Sequence, residues 1–228
     1  MKNIFKLIYV LPMMLLAGCA EDLSDMADGS FSPSGTTSLK AVDIGLSVKW
    51  ANSLLKPNSY YYNYGTSICY FPFGAGKDDL IRENMEYGNI SGTRYDASKE
   101  YGGNSWRTPT KEEFQELIDK CTLKISMSGG DRGVLVTGPN GKSIFIRAAN
   151  NTSNTIILWT SSFQVESSKA SAYTCDFTMY DIKDSVNAEF GTTTDLINNN
   201  TYSFNSYEKR SPDYEYHRYY PICPVQNK

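Results

Sequence analysis

One stretch of this sequence carries a clear helix pattern, and the scarcity of such patterns constrains the fold most. Thr110 is a good N-cap and Glu113 stands three residues later, so the pair predicts a capping box that begins a helix. Apolar side chains then recur at i, i+3, i+4 and i+7, at Phe114, Leu117, Ile118 and Cys121. This spacing predicts one helix over about 110–121, whose apolar stripe packs on a core.

The remainder of the chain favours short strands and polar loops. Apolar and polar residues alternate over 41–51 around Gly45, which predicts a strand, a turn and a second strand. Asn140–Gly141 lies between two β-prone runs and predicts a hairpin over 134–146. The same reasoning predicts further strands and two long polar stretches: β-prone runs at 60–64, 68–73, 156–159, 170–179 and 219–225, and polar stretches at 74–105 and 187–220. The chain as a whole is therefore predicted to be α+β.

Composition excludes several classes of function. With 228 residues, 40% of them hydrophobic and 21% charged, the chain is long enough and apolar enough for a globular core. A net charge of -3 argues against nucleic-acid binding, which needs a basic field. One histidine, His217, cannot build a His-rich metal site, and the sequence has neither a GxSxG nor a CxxC pattern. We expect neither a metal nor another cofactor.

Residues 1–18 have the pattern of a lipoprotein signal peptide. Lys2 and Lys6 accompany a short apolar run, and Leu16-Ala17-Gly18-Cys19 resembles the bacterial lipobox. That resemblance implies cleavage before Cys19 and a lipid on its thiol, which would anchor the protein to a membrane without spanning it. An ordinary signal peptide is the alternative.

Residues 19–38 predict a flexible tether, because they are rich in Ser, Asp, Gly and Thr and poor in large apolar groups. Glu21 and Asp22 look like the acidic export tag of Bacteroidetes surface lipoproteins. The likeness implies a lipid-anchored position on the outer face of the cell outer membrane, with a periplasm-facing protein as the alternative. Residues 39–228 are then predicted to form a single domain.

Five sequence blocks follow one another in a fixed order in the folded part, at 42–51, 106–121, 141–149, 159–162 and 220–224. Their order resembles the Fibrobacter succinogenes major paralogous domain of Bacteroidetes surface lipoproteins, over about residues 40–226. The resemblance implies a C-type-lectin-like fold, in which long loops lie over a twisted antiparallel sheet and the first and last strands are close together. It also marks six residues as fold-defining: Trp50, Trp106, Arg107, Pro109, Trp159 and Pro221.

Two places depart from the family's pattern. Arg147 and Asn150 flank the Ala148–Ala149 pair where Pro and Gly are usual, and Tyr220 stands where Arg usually precedes the last Pro. Any role of that arginine is therefore not carried over to this chain.

Four cysteines remain beyond the lipidation site, namely Cys69, Cys121, Cys175 and Cys223. An even number in an exported chain suggests disulfides, of which three pairings are possible, and four free thiols are the alternative. The resemblance to lectin-like folds implies the pairing Cys121–Cys223, which leaves Cys69 with Cys175.

Tyrosine is abundant, with 17 residues, and most of them fall in two polar stretches around 60–70 and 202–220. Tyr beside Asn, Ser and Asp is a composition that binding loops use, although Tyr also packs at half-buried strand positions. In lectin-like folds the C-terminal loops form the ligand face. The candidate ligand-binding residues are therefore Tyr202, Tyr207, Tyr214, Tyr216, His217 and Tyr219.

Together these features predict a lipid-anchored, non-catalytic binding or adhesion protein on the cell surface. The ligand would be a protein or a glycan, contacted through loops in 150–220. Calcium-dependent sugar binding is not expected, because the Glu-Pro-Asn, Gln-Pro-Asp and Trp-Asn-Asp motifs of calcium-binding lectins are absent. The alternatives are a structural component of a surface complex and, less favoured, an enzyme that is hydrolytic or resembles the formylglycine-generating branch of the fold.

Overall fold

The computed structural model describes residues 39–56, 68–76, 88–166, 169–193 and 219–228. The chain divides after Pro33, and all of the described residues belong to the second unit, Ser34–Lys228. The predicted signal peptide, the lipidated Cys19 and the tether therefore lie outside the described residues. Within the described part, no helix has the length and apolar character that crossing a membrane requires.

Short strands dominate the described part, and two helices accompany them. The helices are α1 (Ala97–Gly102) and α2 (Lys111–Lys120). The strands are β1 (Ala41–Val42), β2 (Val48–Ala51), β3 (Phe71–Pro72), β4 (Thr122–Ser128), β5 (Asp131–Thr137), β6 (Ser143–Arg147), β7 (Thr155–Glu166), β8 (Lys169–Tyr180), β9 (Ser185–Thr193), β10 (Tyr219–Tyr220) and β11 (Val225–Asn227). All strand pairs are antiparallel, in the sheets β1-β2-β11, β3-β10, β4-β5-β6 and β7-β8-β9. The predicted α+β class is thus correct.

Helix α2 is the helix that the sequence predicts. The Thr110 hydroxyl accepts from the Glu113 amide at 3.3 Å, and the Glu113 carboxylate accepts from the Thr110 amide at 2.9 Å, so both bonds of the capping box form. Phe114 and Leu117 are buried, and the rest of the stripe packs at the margin of the same core. The helix ends where the Cys121 amide bonds the Leu117 carbonyl.

The predicted hairpin over 134–146 is confirmed as β5 and β6. Thr137 pairs with Ser143, and the turn between them packs against the loop that follows β1. Gly138 is required there, because a Cβ atom would lie 1.8 Å from the Ile44 carbonyl oxygen. Asn140 then donates to the Asp43 carbonyl oxygen at 2.7 Å, which fixes the turn to the start of the domain.

Strand β9 corrects one prediction. Residues 187–193 were expected to begin a long polar stretch, but they pair with β8 along their whole length, from Asn187 with Thr178 to Thr193 with Ala172. Val186, Ala188 and Phe190 pack against the core while their neighbours face outwards. Strand formation therefore follows from this two-residue alternation, in spite of the polar composition.

The first and last strands of the domain lie in one sheet. Trp50 of β2 pairs with Val225 of β11, and Val225 also exchanges two backbone hydrogen bonds with Arg107. The chain ends are thereby joined to the segment that precedes α2.

Buried apolar side chains form two clusters on opposite faces of the β7-β8-β9 sheet. The first cluster lies among α2, β2, the β4-β5-β6 sheet and one face of β7-β8-β9, and it includes Trp50, Phe114, Val134, Ile146, Leu158 and Phe177. The second cluster lies on the other face and contains Leu55, Cys69, Phe71, Ile90, Tyr95, Ala97, Trp159, Phe163, Ala172 and Ile222, with Leu39, Phe73, Tyr101, Val165 and Tyr220 packed against it. A strand alternates its side chains between faces, so one sheet supports both clusters.

Candidate functional site

The second cluster is where the segments outside the described residues begin and end. Residues 57–67 follow Leu55 and return near Cys69, and residues 77–87 follow the turn Phe73–Gly76. Residues 167–168 connect the ends of β7 and β8, where Val165 of the cluster pairs with Ala170. Residues 194–218 follow Thr193, which pairs with Ala172, and precede β10. Four connecting segments therefore share one region of the domain.

Two short turns, one from each of the large sheets, lie at the end of β7-β8-β9 away from the second cluster. Gly129–Gly130 join β4 to β5, and Asp181–Asp184 join β8 to β9. The Arg132 guanidinium pairs with the Asp181 carboxylate, which holds the two turns together. The domain therefore has one end with long connections and one end with tight turns.

Most of the predicted ligand-binding residues lie in the long connections. Tyr202, Tyr207, Tyr214, Tyr216 and His217 fall outside the described residues. Tyr219 is described in its backbone only, which pairs with Pro72 across β10 and β3. The structure does show where segment 194–218 ends: at β10, beside the aromatic side chains of the second cluster.

Trp159 organises that cluster. Its amide donates to the Pro221 carbonyl oxygen at 3.1 Å, and its indole Nε1 donates to the Phe71 carbonyl oxygen at 2.7 Å. The Tyr220 and Phe73 rings meet the indole edge-on, with centroids at 4.8 and 5.3 Å. Burial, followed by the charge of Asp176, raises the pKa of the Tyr220 hydroxyl. Tyr220 thus packs where the family's pattern has an arginine.

Arg107 has a structural role that its contacts define. Its guanidinium holds the Glu113 carboxylate with two bonds, at 2.8 and 2.5 Å, and its Nε donates to Asn227 Oδ1 at 2.9 Å. Nη1 also reaches the Ser91 hydroxyl at 3.2 Å. Because Glu113 is part of the capping box, this fork joins the start of α2 to the last strand.

Asp96 is a buried carboxylate that the sequence did not single out. It is 0% exposed, and its Oδ2 accepts from the Gly92 and Thr108 amides at 2.7 and 2.8 Å. Its Oδ1 accepts from the Ser98 amide at 2.9 Å and the Thr108 hydroxyl at 2.6 Å. Four donors compensate its loss of hydration, so the carboxylate caps α1 and fixes the 106–110 block beside it.

The bulge at 160–162 binds the other side of that block. The register of β7 against β8 shifts between Trp159 and Phe163. The Ser161 amide donates to the Pro109 carbonyl oxygen at 2.7 Å, and the Ser162 hydroxyl accepts from the Lys111 amide at 3.0 Å. The bulge therefore positions the start of α2 on the sheet.

The six residues marked as fold-defining all have packing or hydrogen-bonding roles. Trp50 is completely buried and meets the Phe114 ring at 5.0 Å, and its indole nitrogen finds no hydrogen-bond acceptor among the described residues. Trp106, Pro109 and Pro221 are buried as well. None of these contacts requires a ligand.

All four cysteines of the described part are free thiols, so neither Cys121–Cys223 nor Cys69–Cys175 forms. The second pair is separated between clusters, because Cys69 belongs to the second and Cys175 to the first. Burial raises the pKa of every one of these thiols, that of Cys121 to about 11 with help from the Glu116 charge and that of Cys223 to about 12. Such thiols are protonated and poorly nucleophilic at neutral pH.

A small cavity lies between the second cluster and the Asp96 network. It measures about 10 Å³, which is room for one water molecule, and Phe73, Thr108, Trp159, Thr160 and Ile222 are among its lining residues. The cavity is too small for an organic ligand. Within the described ranges, no group of three His, Cys, Asp or Glu side chains is placed to hold a metal ion.

Comparisons of the chain with protein-family models, with curated proteins and with solved structures give no significant match.

Proposed function

We propose that this protein is a lipid-anchored, non-catalytic binding protein of the outer cell surface, which recognises a protein or glycan ligand. The observation that carries this proposal is the convergence on the second cluster of three long connections, 57–67, 77–87 and 194–218, together with the short connection 167–168. Rigid sheets that hold several loops at one end are a common arrangement of binding proteins, because the scaffold positions variable side chains at little entropic cost.

The positions of the tyrosines in the sequence favour the same end of the domain as the binding face. Four of them lie in 57–67, and Tyr202, Tyr207, Tyr214 and Tyr216 lie in 194–218. Both segments start and finish beside the second cluster. Tyrosine offers a large amphipathic contact area with few rotatable bonds, which suits recognition.

We propose a C-type-lectin-like fold and membership of the Fibrobacter major paralogous type as the most economical account of the architecture. The antiparallel sheets, the helix after the 106–110 block and the pairing of β2 with β11 agree with what that resemblance implies. Loop-based ligand recognition at the C-terminal end is common in such folds. The fold alone does not determine the function, since one fold serves many functions.

Binding is tested with an array of glycans, mucins and extracellular-matrix proteins. We expect the full chain to bind at least one of these classes, and a variant with Tyr202, Tyr207, Tyr214 and Tyr216 replaced by Ser to lose that binding. Met127→Ser is the matched control, because Met127 is 59% exposed at the opposite end. Binding that survives the tyrosine replacements and disappears in the control would contradict the proposed face.

The membrane anchor has its own test. Cells that make the protein are labelled with radioactive palmitate, and Cys19→Ser is the comparison. We expect labelling of the parent chain only, and digestion of the protein by a protease added to intact cells. Label retained in Cys19→Ser would contradict lipidation, and resistance to the protease would favour the periplasmic side.

A structural role in a surface complex is the second candidate, and exposed apolar side chains favour it. Met127 and Ile182 are 59% and 102% exposed. Met127 pairs with Arg132, whose partner Asp181 precedes Ile182, so both lie at the end with tight turns. If this role holds, Ile182→Ser combined with Met127→Ser will reduce the size of the native complex in detergent extracts. An unchanged size would rule against it.

A further inference from the structure

The face of the β7-β8-β9 sheet that carries the second cluster is covered over only part of its length. The cluster covers this face near Trp159 and Phe163. From Trp159 towards Thr155, no element among the described residues covers it. On this part of the face, the side chains of residues that pair across β7, β8 and β9 form rows. Ile157, Asp176 and Glu189 form one, Thr155, Thr178 and Asn187 form the next, and Tyr180 with Ser185 ends the face.

The exposure at the margins of this face agrees with an open surface, while Ile157, Asp176 and Thr178 at its middle are half-buried. Thr155, Asn187 and Glu189 are exposed, and Tyr180 is 47% exposed. The alternate residues of the same strands, such as Leu158 and Phe177, are buried in the first cluster. We call the set Thr155, Ile157, Asp176, Thr178, Tyr180, Asn187 and Glu189 the open strip.

An aromatic side chain stands at each end of the open strip. Tyr220 lies against the edge of Trp159, one row before Asp176, and forms the margin of the covered part. Tyr180 presents its ring to solvent at the other end. Side chains that donate and accept hydrogen bonds lie between the two rings.

Asp176 is incompletely satisfied in this setting. Thr174 hydrogen bonds its carboxylate, and Gly191 leaves room for it, since a Cβ there would lie 2.9 Å from Asp176 Oδ2. Its Oδ1 is buried and has no hydrogen-bond partner among the described residues. Burial, reinforced by the Glu189 charge, raises the pKa of this carboxyl. A ligand donor would be stabilising here, and it reaches this buried oxygen once the carboxylate turns towards the surface of the strip.

The size of the open strip limits what it can bind. From Asp176 to Tyr180 the strip extends about 14 Å along the strands, and three strands give it a width of about 10 Å. Its area is thus on the order of 140 Å², far below the roughly 800 Å² that each partner contributes to a stable protein interface. Its acidic side chains disfavour nucleic acids and other anions.

We infer that the open strip is a binding site for a neutral glycan, of which it accommodates one or two sugar residues. The Tyr180 ring supports the apolar face of a sugar ring, and the carboxylates, the Asn187 amide and the threonine hydroxyls bond its hydroxyl groups. This inference rests on the proposed binding function and names a ligand class and a second contact area for it.

The test is a titration of the full chain, kept in a detergent without a sugar headgroup, with four probes. They are cellotriose, maltotriose, xylotriose and N-acetylchitotriose. Binding is measured by calorimetry, and amide shifts in NMR spectra locate it. We expect at least one probe to bind with shifts confined to 155–157, 176–180 and 187–189, and Tyr180→Ala to weaken it roughly ten-fold.

Two further variants separate a binding role from a structural one. Asp176→Asn keeps the shape of the side chain and is expected to weaken binding while the thermal unfolding midpoint changes little. Met127→Ala, an exposed apolar residue on the other large sheet, is expected to bind as the parent does.

The inference is overturned if none of the four trisaccharides binds, or if binding is indifferent to both Tyr180→Ala and Asp176→Asn. It is also overturned if chitotriose, the cationic glucosamine trimer titrated as a fifth probe, binds while N-acetylchitotriose does not, because the strip would then be a cation site. If glycan binding depends on the tyrosines of 194–218 and not on the open strip, the proposed function is supported and only the inference about the open strip is wrong.

Discussion

Replacement of Asp96 by Asn tests whether one buried carboxylate holds the 106–110 block in place. Three of the four donors to Asp96 are backbone N–H groups, of Gly92, Ser98 and Thr108, and their directions are fixed by the chain. Asn keeps the shape of the side chain but replaces one acceptor oxygen by an NH₂ group. In either orientation of the amide, at least one backbone N–H then faces another donor.

The less costly orientation places the NH₂ group on the side of Oδ1. The Thr108 hydroxyl can turn to accept a bond there, but the Ser98 amide loses its acceptor. A hydrogen bond to a charged group contributes about 1.5–3 kcal/mol, and a buried donor without a partner costs about 1–3 kcal/mol. Because these two losses overlap, we expect the free energy of unfolding to fall by about 3 kcal/mol. The bond lost is the N-cap bond of α1: Asn caps helices as well as Asp in general, but here its one carbonyl oxygen is already occupied by the Gly92 and Thr108 amides.

The assay is urea unfolding of the full chain followed by tryptophan fluorescence and circular dichroism, with the slope of the free energy against urea unchanged. Asp184→Asn is the matched control. Asp184 is exposed and has a positive φ of 44°, a conformation that Asn tolerates, so its change is expected to stay within about 0.5 kcal/mol. A stability of Asp96→Asn equal to that of this control would refute the reasoning.

Three other predictions concern charge, sterics and thiols. Burial raises the pKa of Glu116, but the Ser47 and Lys120 hydrogen bonds outweigh it and lower the pKa from 4.5 to about 2, so its stabilising contribution is present above pH 4.5 and is lost as the pH falls towards 2. In pH-dependent unfolding, Ser47→Ala should shrink that loss by about 1 kcal/mol, and an unchanged profile would contradict the assignment. Gly138→Ala should cost more than about 3 kcal/mol or prevent folding, because of the Ile44 carbonyl oxygen, whereas Gly102→Ala meets only side-chain carbons and should cost less than about 1 kcal/mol in the same assay. Mass spectrometry without reductant should find four thiols in the folded domain, and iodoacetamide at neutral pH should label them only after unfolding; a mass deficit from disulfides would contradict both.

Local signals explain which elements the sequence predicts. The capping box of α2 and the Asn140–Gly141 turn each depend on residues within a few positions of one another. Their chemistry is therefore visible without the fold. Both elements are found within three residues of the predicted limits.

Elements stabilised by distant partners were missed. Helix α1 is six residues long, too short for periodicity, and its cap Asp96 is held by Thr108, twelve residues away. Strands β4 and β9 do alternate, with Leu123 and Ile125 in one and Val186, Ala188 and Phe190 in the other. The alternation is hard to recognise in the sequence, because only one face of each strand is covered and polar residues occupy the other face.

The candidate binding residues likewise include a part that the sequence predicts and a part that only the fold brings together. Abundance and clustering of Tyr are properties of the sequence, and they direct attention to 194–218. The open strip is not visible there, because Asp176, Glu189 and Tyr180 come together only through the register of three strands. Tyr180 lies at the end of a predicted strand, at even spacing from Asp176 and Thr178, which is the one signal that could have found it.

The residues that carry the family resemblance are poor candidates for contacting a ligand, and their contacts show why. Arg107 directs donors to Glu113, Asn227 and Ser91, and Trp159 directs its indole N–H to a backbone carbonyl. A donor already engaged inside the protein would have to break that bond before it could bind anything else, at a cost comparable to what the new bond contributes. Side chains on the open strip face less of this competition, since Tyr180 and Glu189 are exposed and Asp176 Oδ1 has no hydrogen-bond partner in the described part of the chain. Substitution at the marked positions should therefore lower stability before it alters recognition, whereas substitution on the open strip should alter recognition at nearly constant stability.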